Sequence, residues 1–224
     1  MSRGQTLGHG SNGHGQGLSL DTYGSAVAAK IGTSGWSYPS WRPGFYPADT
    51  QPAEFLSYYA SRFDTVELNS TGYRLPSADQ FRRWADAVPD GFEFSVKFAL
   101  TRLDRVTTFL ERALSLGDRL GPVRVVYQGP RDDGTLSFVQ GSVPAEVRLA
   151  WDFRDESWAG IGGVVAVNDP GAEPFRYLRL REPPYTDEEL QAFAATVRDP
   201  AYIYVRHEDE PTAPAIVDRL RTFL

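Results

Sequence analysis

Two residues that could do chemistry stand two apart in the stretch "FDTVELNSTGYRLP" (63–76), Glu67 and Asn69. Val66 and Leu68 alternate with them, so a strand here would turn its apolar side chains one way and its carboxylate and amide the other. Asp152 and Arg154 share the same spacing in "VRLAWDFR", as do Ser95 and Lys97 in "DGFEFSVK". Carboxylates and cations brought together in a partly dry place must pair with each other or await a charged ligand. A carboxylate beside an apolar rim can serve as a general acid or base. Glu67, Lys97 and Asp152 are therefore the catalytic candidates. Each also has a purely structural reading, Glu67 as an ion-pair partner of Lys97 or an arginine, and Asp152–Arg154 as an internal ion pair.

Such residues converge only if their strands run the same way. Short segments with frequent β-branched or aromatic residues predict strands over 31–34, 65–69, 92–97, 123–128, 147–153, 164–168, 175–180 and 202–207. Helical patterns over 52–63, 77–88, 105–121, 186–199 and 212–224 fall between several of them. Ser77 and Thr186 are candidate N-caps. Alternating strands and helices indicate parallel βα units, and eight strands suggest an α/β fold of the (β/α)8 TIM-barrel type, with an open doubly wound sheet as the alternative. No Gly-rich dinucleotide loop follows the first strand, which favours the barrel. The connections from 154 to 163 and from 169 to 174 are too short for crossover helices, so a pared-down barrel is expected, lacking helices around its fifth to seventh strands. That bare flank is a candidate surface for homo-oligomer formation.

In a parallel barrel the site lies at the C-terminal ends of the strands. The polar residues expected there are Thr33 and Ser34, with Trp36 after the first strand, then Glu67, Asn69, Lys97, Gln128, Asp152, Arg154, Arg179, Arg181 and Arg206. Trp36, Trp41, Tyr46 and Trp158 either stack on a ligand ring or pack the rim. "HEDE" (207–210) reads as a solvated turn rather than a metal site.

The chain of 224 residues carries a formal charge of -6 and no cysteine. Thiolate nucleophiles, thiolate metal sites and disulfides are thereby excluded, and a cytoplasmic protein is expected. No apolar run is long enough to span a membrane. Residues 1–29, rich in Gly, Ser and His, are expected to form a disordered tail ahead of a single domain over 30–224. His9 and His14 in it are read as incidental. No cofactor is strongly implied; a divalent Mg²⁺ or Mn²⁺ held by Glu67, Asp152 or Asp169 is compatible with the oxygen ligands those ions prefer.

The motifs "IGTSGWSYPSW…FYP" (31–47), "FDTVELNSTGYRLPS" (63–77), "FSVKF" (94–98), "LGPVRVVYQ" (120–128), "FRDESW" (153–158), "YLRLR" (177–181) and "HEDEP" (207–211) resemble the YecE-like family, the TIM-barrel group also called domain of unknown function family 72. The resemblance implies the barrel but no settled activity. It places the family's polar strand-end positions on Thr33, Ser34, Trp36, Glu67, Asn69, Tyr73, Lys97, Gln128, Arg154, Trp158 and Arg179. Asp155 and Arg181 stand where the family often has histidine, and "ALTRLD" lacks the usual histidine of the third-strand loop. Three functions follow as expectations. The first is binding or turnover of a small anionic substrate, phosphorylated or sugar-like, with arginines and Lys97 holding the anion. The second is nucleic-acid binding with endonuclease IV-like architecture, Trp36, Tyr73 or Trp158 stacking on bases. The third is a non-catalytic interaction protein.

Overall fold

A computed structural model describes residues 29–72, 74–207 and 211–224 of the chain. Its described strands are β1 (Ala29–Thr33), β2 (Thr65–Leu68), β3 (Glu93–Ala99), β4 (Leu120–Tyr127), β5 (Leu149–Phe153), β6 (Arg176–Leu180) and β7 (Ala201–Val205). The helices are α1 (Phe55–Arg62), α2 (Ala78–Asp86), α3 (Arg105–Ala113), α4 (Asp133–Ser142), α5 (Asp187–Thr196) and α6 (Thr212–Arg221). The fold is mixed α/β, with two parallel sheets ordered β2-β3-β4-β5 and β1-β7-β6.

The sheets meet at both margins. On one side Ser34 bridges in parallel to Glu67. Gly32 permits this approach, because a Cβ there would lie 2.0 Å from the Thr65 carbonyl oxygen. The Tyr59 hydroxyl from α1 stitches the seam: it accepts from the Thr33 amide at 2.9 Å and donates to the Thr65 carbonyl at 3.1 Å. On the other side, the strand expected over 164–168 is reduced to one parallel bridge, Trp151 to Ala166. The chain before it contains Gly162 and Gly163 and the chain after it runs Asn168-Asp169-Pro170-Gly171, so no longer ladder can propagate. Asn168 takes a left-handed conformation (φ 65). Its backbone N–H donates to the Tyr177 carbonyl, and its side-chain oxygen accepts from the Arg179 amide at 2.6 Å, standing in for a strand residue beside β6.

Local chemistry accounts for the helices. Ser77 caps α2 by accepting from the Gln80 amide, and Thr186 forms a reciprocal capping box with Glu189 at the start of α5. Helix α4 was not expected. Asp132 caps it, accepting from the Gly134 and Thr135 amides, but Gly134 and Gly141 dilute its apolar period. Helix α3 is shorter than the expected span, since Gly117 (φ 55) interrupts a 3-10 stretch after it. Between β5 and β6 no helix stands among the described residues, only a 3-10 turn at Glu156–Trp158.

The outer faces of the strands pack Val66, Phe94, Val96, Val125 and Ile203 beneath the helices. A second apolar cluster, containing Ala150, Val165, Phe175, Tyr177, Tyr202 and Tyr204, fills the inward faces. Among these lie buried polar residues, Thr65, Glu67, Ser95, Arg124 and Asp152. No helix of the described residues is long and apolar enough to cross a membrane.

Candidate functional site

Glu67 sits at the C-terminal end of β2 and is fully buried. Four groups surround its carboxylate. The Ser34 hydroxyl donates to Oε2 and the Tyr177 hydroxyl to Oε1, each at 2.8 Å. Arg179 Nη2 lies 3.0 Å from Oε2, and Arg124 Nε 2.7 Å from Oε1. The second is a close ion pair rather than an aligned hydrogen bond, since the Nε–H does not point at an acceptor. Burial alone would raise the Glu67 carboxyl, but the Arg124 and Arg179 guanidiniums, aided by the two hydroxyls, hold it down at about 2.

Asp152, from β5, is the second anionic centre. It accepts from Arg124 Nη1 at 2.5 Å, from Arg154 Nη2 at 2.8 Å and from Arg181 Nη2 at 3.2 Å. Arg124 thus spans both carboxylates, and its third nitrogen, Nη2, donates to Asn69 Oδ1 at 3.2 Å. The spacing-of-two pairs seen in the sequence, Glu67 with Asn69 and Asp152 with Arg154, converge on this guanidinium network. Arg179 Nη2 also donates to the Ser34 hydroxyl at 3.1 Å. Four guanidiniums therefore share two carboxylates, so that these six side chains carry an excess of two positive charges. The buried Nε atoms of Arg179 and Arg181 have no hydrogen-bond acceptor. Lys97, half-buried beside them on β3, has its pKa lowered, by burial first and then by the neighbouring Arg124 charge.

The other expected residues are distributed differently. Thr33 is buried toward α1, its hydroxyl 2.9 Å from the Tyr59 hydroxyl, on the opposite face from Ser34. Trp158 is buried, stacks on Phe153 at 4.1 Å and donates to the Gly129 carbonyl, so it packs the rim. Trp41 and Tyr46 are fully buried core residues. Gln128 and Arg206 are exposed at the ends of β4 and β7, and Arg206 Nη1 lies 3.5 Å from the Arg181 carbonyl. Tyr73 and residues 208–210 of the "HEDE" stretch lie outside the described residues, as does the expected tail with His9 and His14. His207 stacks on Tyr38 at 3.5 Å and accepts from Trp41 Nε1.

Trp36 borders a groove of about 790 Å³ that opens beside the network, also lined by Trp84, Tyr38, Leu56, Asn69 and Arg83. The carboxylate oxygens that would serve a divalent cation are already engaged: those of Glu67 and Asp152 by guanidiniums, and Asp169 Oδ1 by the Gly171 amide. A dication would also be repelled by the surrounding arginines. These donors do not fit a metal.

Two central members of the site were not singled out in the sequence, Arg124 and Tyr177. A signal for Arg124 was present: one arginine inside the continuous apolar strand "LGPVRVVY" must meet a carboxylate if that strand is buried. Tyr177 had no comparable signal, because tyrosine is ordinary in a strand.

Comparison with known proteins supplies the relatives. The chain is 32% identical over 137 residues to the UPF0759 protein YecE of Escherichia coli strain K12, covering 55% of this chain and 47% of that protein. It is 33% identical over 67 residues to the UPF0759 protein YunF of Bacillus subtilis strain 168, covering 30% and 23%. The matched stretches span about half or less of those relatives' own length. The solved structure of a DUF72 family protein from Enterococcus faecalis V583 superimposes with a TM-score of 0.69 at 15% identity, covering 88% of this chain and 95% of that one. The family model described as "Protein of unknown function DUF72" matches residues 30–169, and the chain belongs to that family.

Proposed function

We propose that the two sheets act as one pared-down (β/α)8 barrel and that the opening at the C-terminal ends of its strands binds a small anion, phosphorylated or sugar-like. One observation carries this reading: four guanidiniums gather on two carboxylates, with buried N–H donors left over. Charge-assisted N–H bonds from the partly exposed guanidiniums to phosphate oxygens would offset the surplus charge. Arg154 and Arg181, with side chains 39% and 30% exposed, are the arms that a ligand reaches from solvent. Asn69 and the exposed Gln128 orient hydroxyls beside them.

Within this reading Glu67 and Asp152 are anchors that hold the arginines in place. A carboxyl held at about 2 is ionised at neutral pH and does not supply a proton. Lys97 takes the acid–base role, because it stands half-buried beside the network and its pKa is lowered, by burial first and then by the Arg124 charge. The excess of arginines also argues against the divalent ion that the oxygen ligands of Glu67, Asp152 or Asp169 left open.

Calorimetric titration with inorganic phosphate and with ribose 5-phosphate tests the proposal. Binding is expected to weaken with added salt, and Arg181→Ala is expected to lower the affinity about tenfold, the loss of a charge-assisted contact. Absence of binding of either compound at low salt refutes it.

A further inference from the structure

The groove beside the arginine network shows what else the ligand carries. Trp84, half-buried on α2, meets Trp36 edge to face at 5.3 Å and 89°, and Phe81 at 5.7 Å. The indole is thereby fixed in orientation while part of it remains open to the groove. A volume of about 790 Å³ is in the range of small-molecule sites. Its walls mix apolar surface with polar edges: Leu56 and the tryptophans on one hand, Gln80, Arg83 and Asn69 on the other. That combination suits a flat ring with hydrogen-bonding atoms around its rim.

The groove and the arginine network share one residue, Asn69, which lines the groove and accepts from Arg124. Gly35 lines it, and the preceding residue, Ser34, donates to Glu67 and accepts from Arg179. A ligand whose ring lies against Trp84 would reach the guanidiniums past Asn69, where the positive surplus complements a phosphate. We infer that the site takes an anion bearing a planar heterocycle, of the nucleoside monophosphate class, with the ring in the Trp36–Trp84 groove and the phosphate on the arginines. This rests on the anion-binding reading and adds the ring.

Three probes separate the two ideas: AMP, ribose 5-phosphate and adenosine, titrated calorimetrically into the full chain. Base–aromatic stacking predicts that AMP binds about tenfold or more tightly than ribose 5-phosphate. Trp84→Ala should abolish that advantage while leaving ribose 5-phosphate binding unchanged. Because Trp84 also packs on Phe81, Ala53→Trp provides a second variant. It adds bulk at an exposed position of the groove wall without removing a contact, and it too should erase the preference. Equal affinities for AMP and ribose 5-phosphate, or an AMP advantage that survives Ala53→Trp, overturn the inference. Adenosine binding without ribose 5-phosphate binding refutes the anion site and leaves the ring groove standing; binding of neither refutes both.

Discussion

Replacing Glu67 with glutamine keeps the shape of the side chain and removes its charge. The Glu67 carboxyl has an ordinary value of 4.5 and is held at about 2 in the folded chain. At about 1.4 kcal/mol for each tenfold change in ionisation, that difference corresponds to about 3 kcal/mol of stability. Since the folded value lies below the unfolded one, this contribution is complete above pH 4.5 and is lost as the pH falls through about 2. Glu67→Gln lacks it at every pH. The gap between wild type and variant should therefore be about 3 kcal/mol at pH 7 and narrow on acidification. At pH 3.5 the linkage relation removes about 1.4 kcal/mol, roughly half of the gap. Urea unfolding of both proteins from pH 7 down to 3.5 measures it, and taking the difference cancels the other acids that titrate in both chains. A gap that stays constant with pH, or a variant as stable as wild type, would show that the Arg124–Glu67–Arg179 arrangement does not stabilise the carboxylate.

Arg124→Met strips the shared guanidinium from two carboxylates that are 0% and 4% exposed, and should cost about 3–5 kcal/mol in urea unfolding. Arg154→Met, from a side chain 39% exposed, should cost about 1 kcal/mol or less in the same experiment. Asn168→Ala places a Cβ-bearing residue without a carboxamide at φ 65 and removes the acceptor of the Arg179 amide; about 2 kcal/mol of lost stability is expected. Asn168→Gly should recover only the conformational part, so its urea midpoint should fall between those of Asn168→Ala and wild type.

The period of two made much of this site legible. It put Glu67 with Asn69 and Asp152 with Arg154, and the Arg124 guanidinium meets Glu67 and Asn69 of the first pair and Asp152 of the second. The parallel run of strands then brought Arg179 and Arg181 to the same end. Alternation says which face a residue occupies, but not how many partners arrive from other strands. Asp152, taken as a catalytic candidate, is met by three arginines from three segments, and only packing in space shows it. Thr33 and Ser34 are neighbours in sequence and were treated alike, yet strand geometry sends them to opposite faces. The expected sixth strand failed on composition: Gly162 and Gly163 and then Asn168-Asp169-Pro170-Gly171 leave room for one bridge. Helix α4 was hidden for the related reason that two glycines blur its period.

A contrast within the molecule bears on what the arginine network is for. At the N-terminal ends of the strands another charged group forms, with Lys30 and Arg148 on Glu93. There the donors find acceptors: Arg148 Nη2 reaches Glu93 at 2.6 Å and the Leu120 carbonyl at 3.3 Å, Arg148 Nη1 donates to the Tyr202 hydroxyl, and Lys30 donates to the Gly91 carbonyl. That end behaves as a structural closure, as expected for the bottom of a parallel α/β fold. At the C-terminal ends, the Nε donors of Arg179 and Arg181 are buried without acceptors. A buried unsatisfied donor costs about 1–3 kcal/mol, more beside a charge. Arg119, at the N-terminal end of β4 and paired with Asp90, also has a buried Nε without an acceptor, so an orphaned donor does not by itself mark the ligand end. What sets the C-terminal group apart is its crowding of four guanidiniums on two carboxylates, a repulsion that a bound anion would relieve and that the N-terminal group, with Lys30 and Arg148 on Glu93, has to a lesser degree.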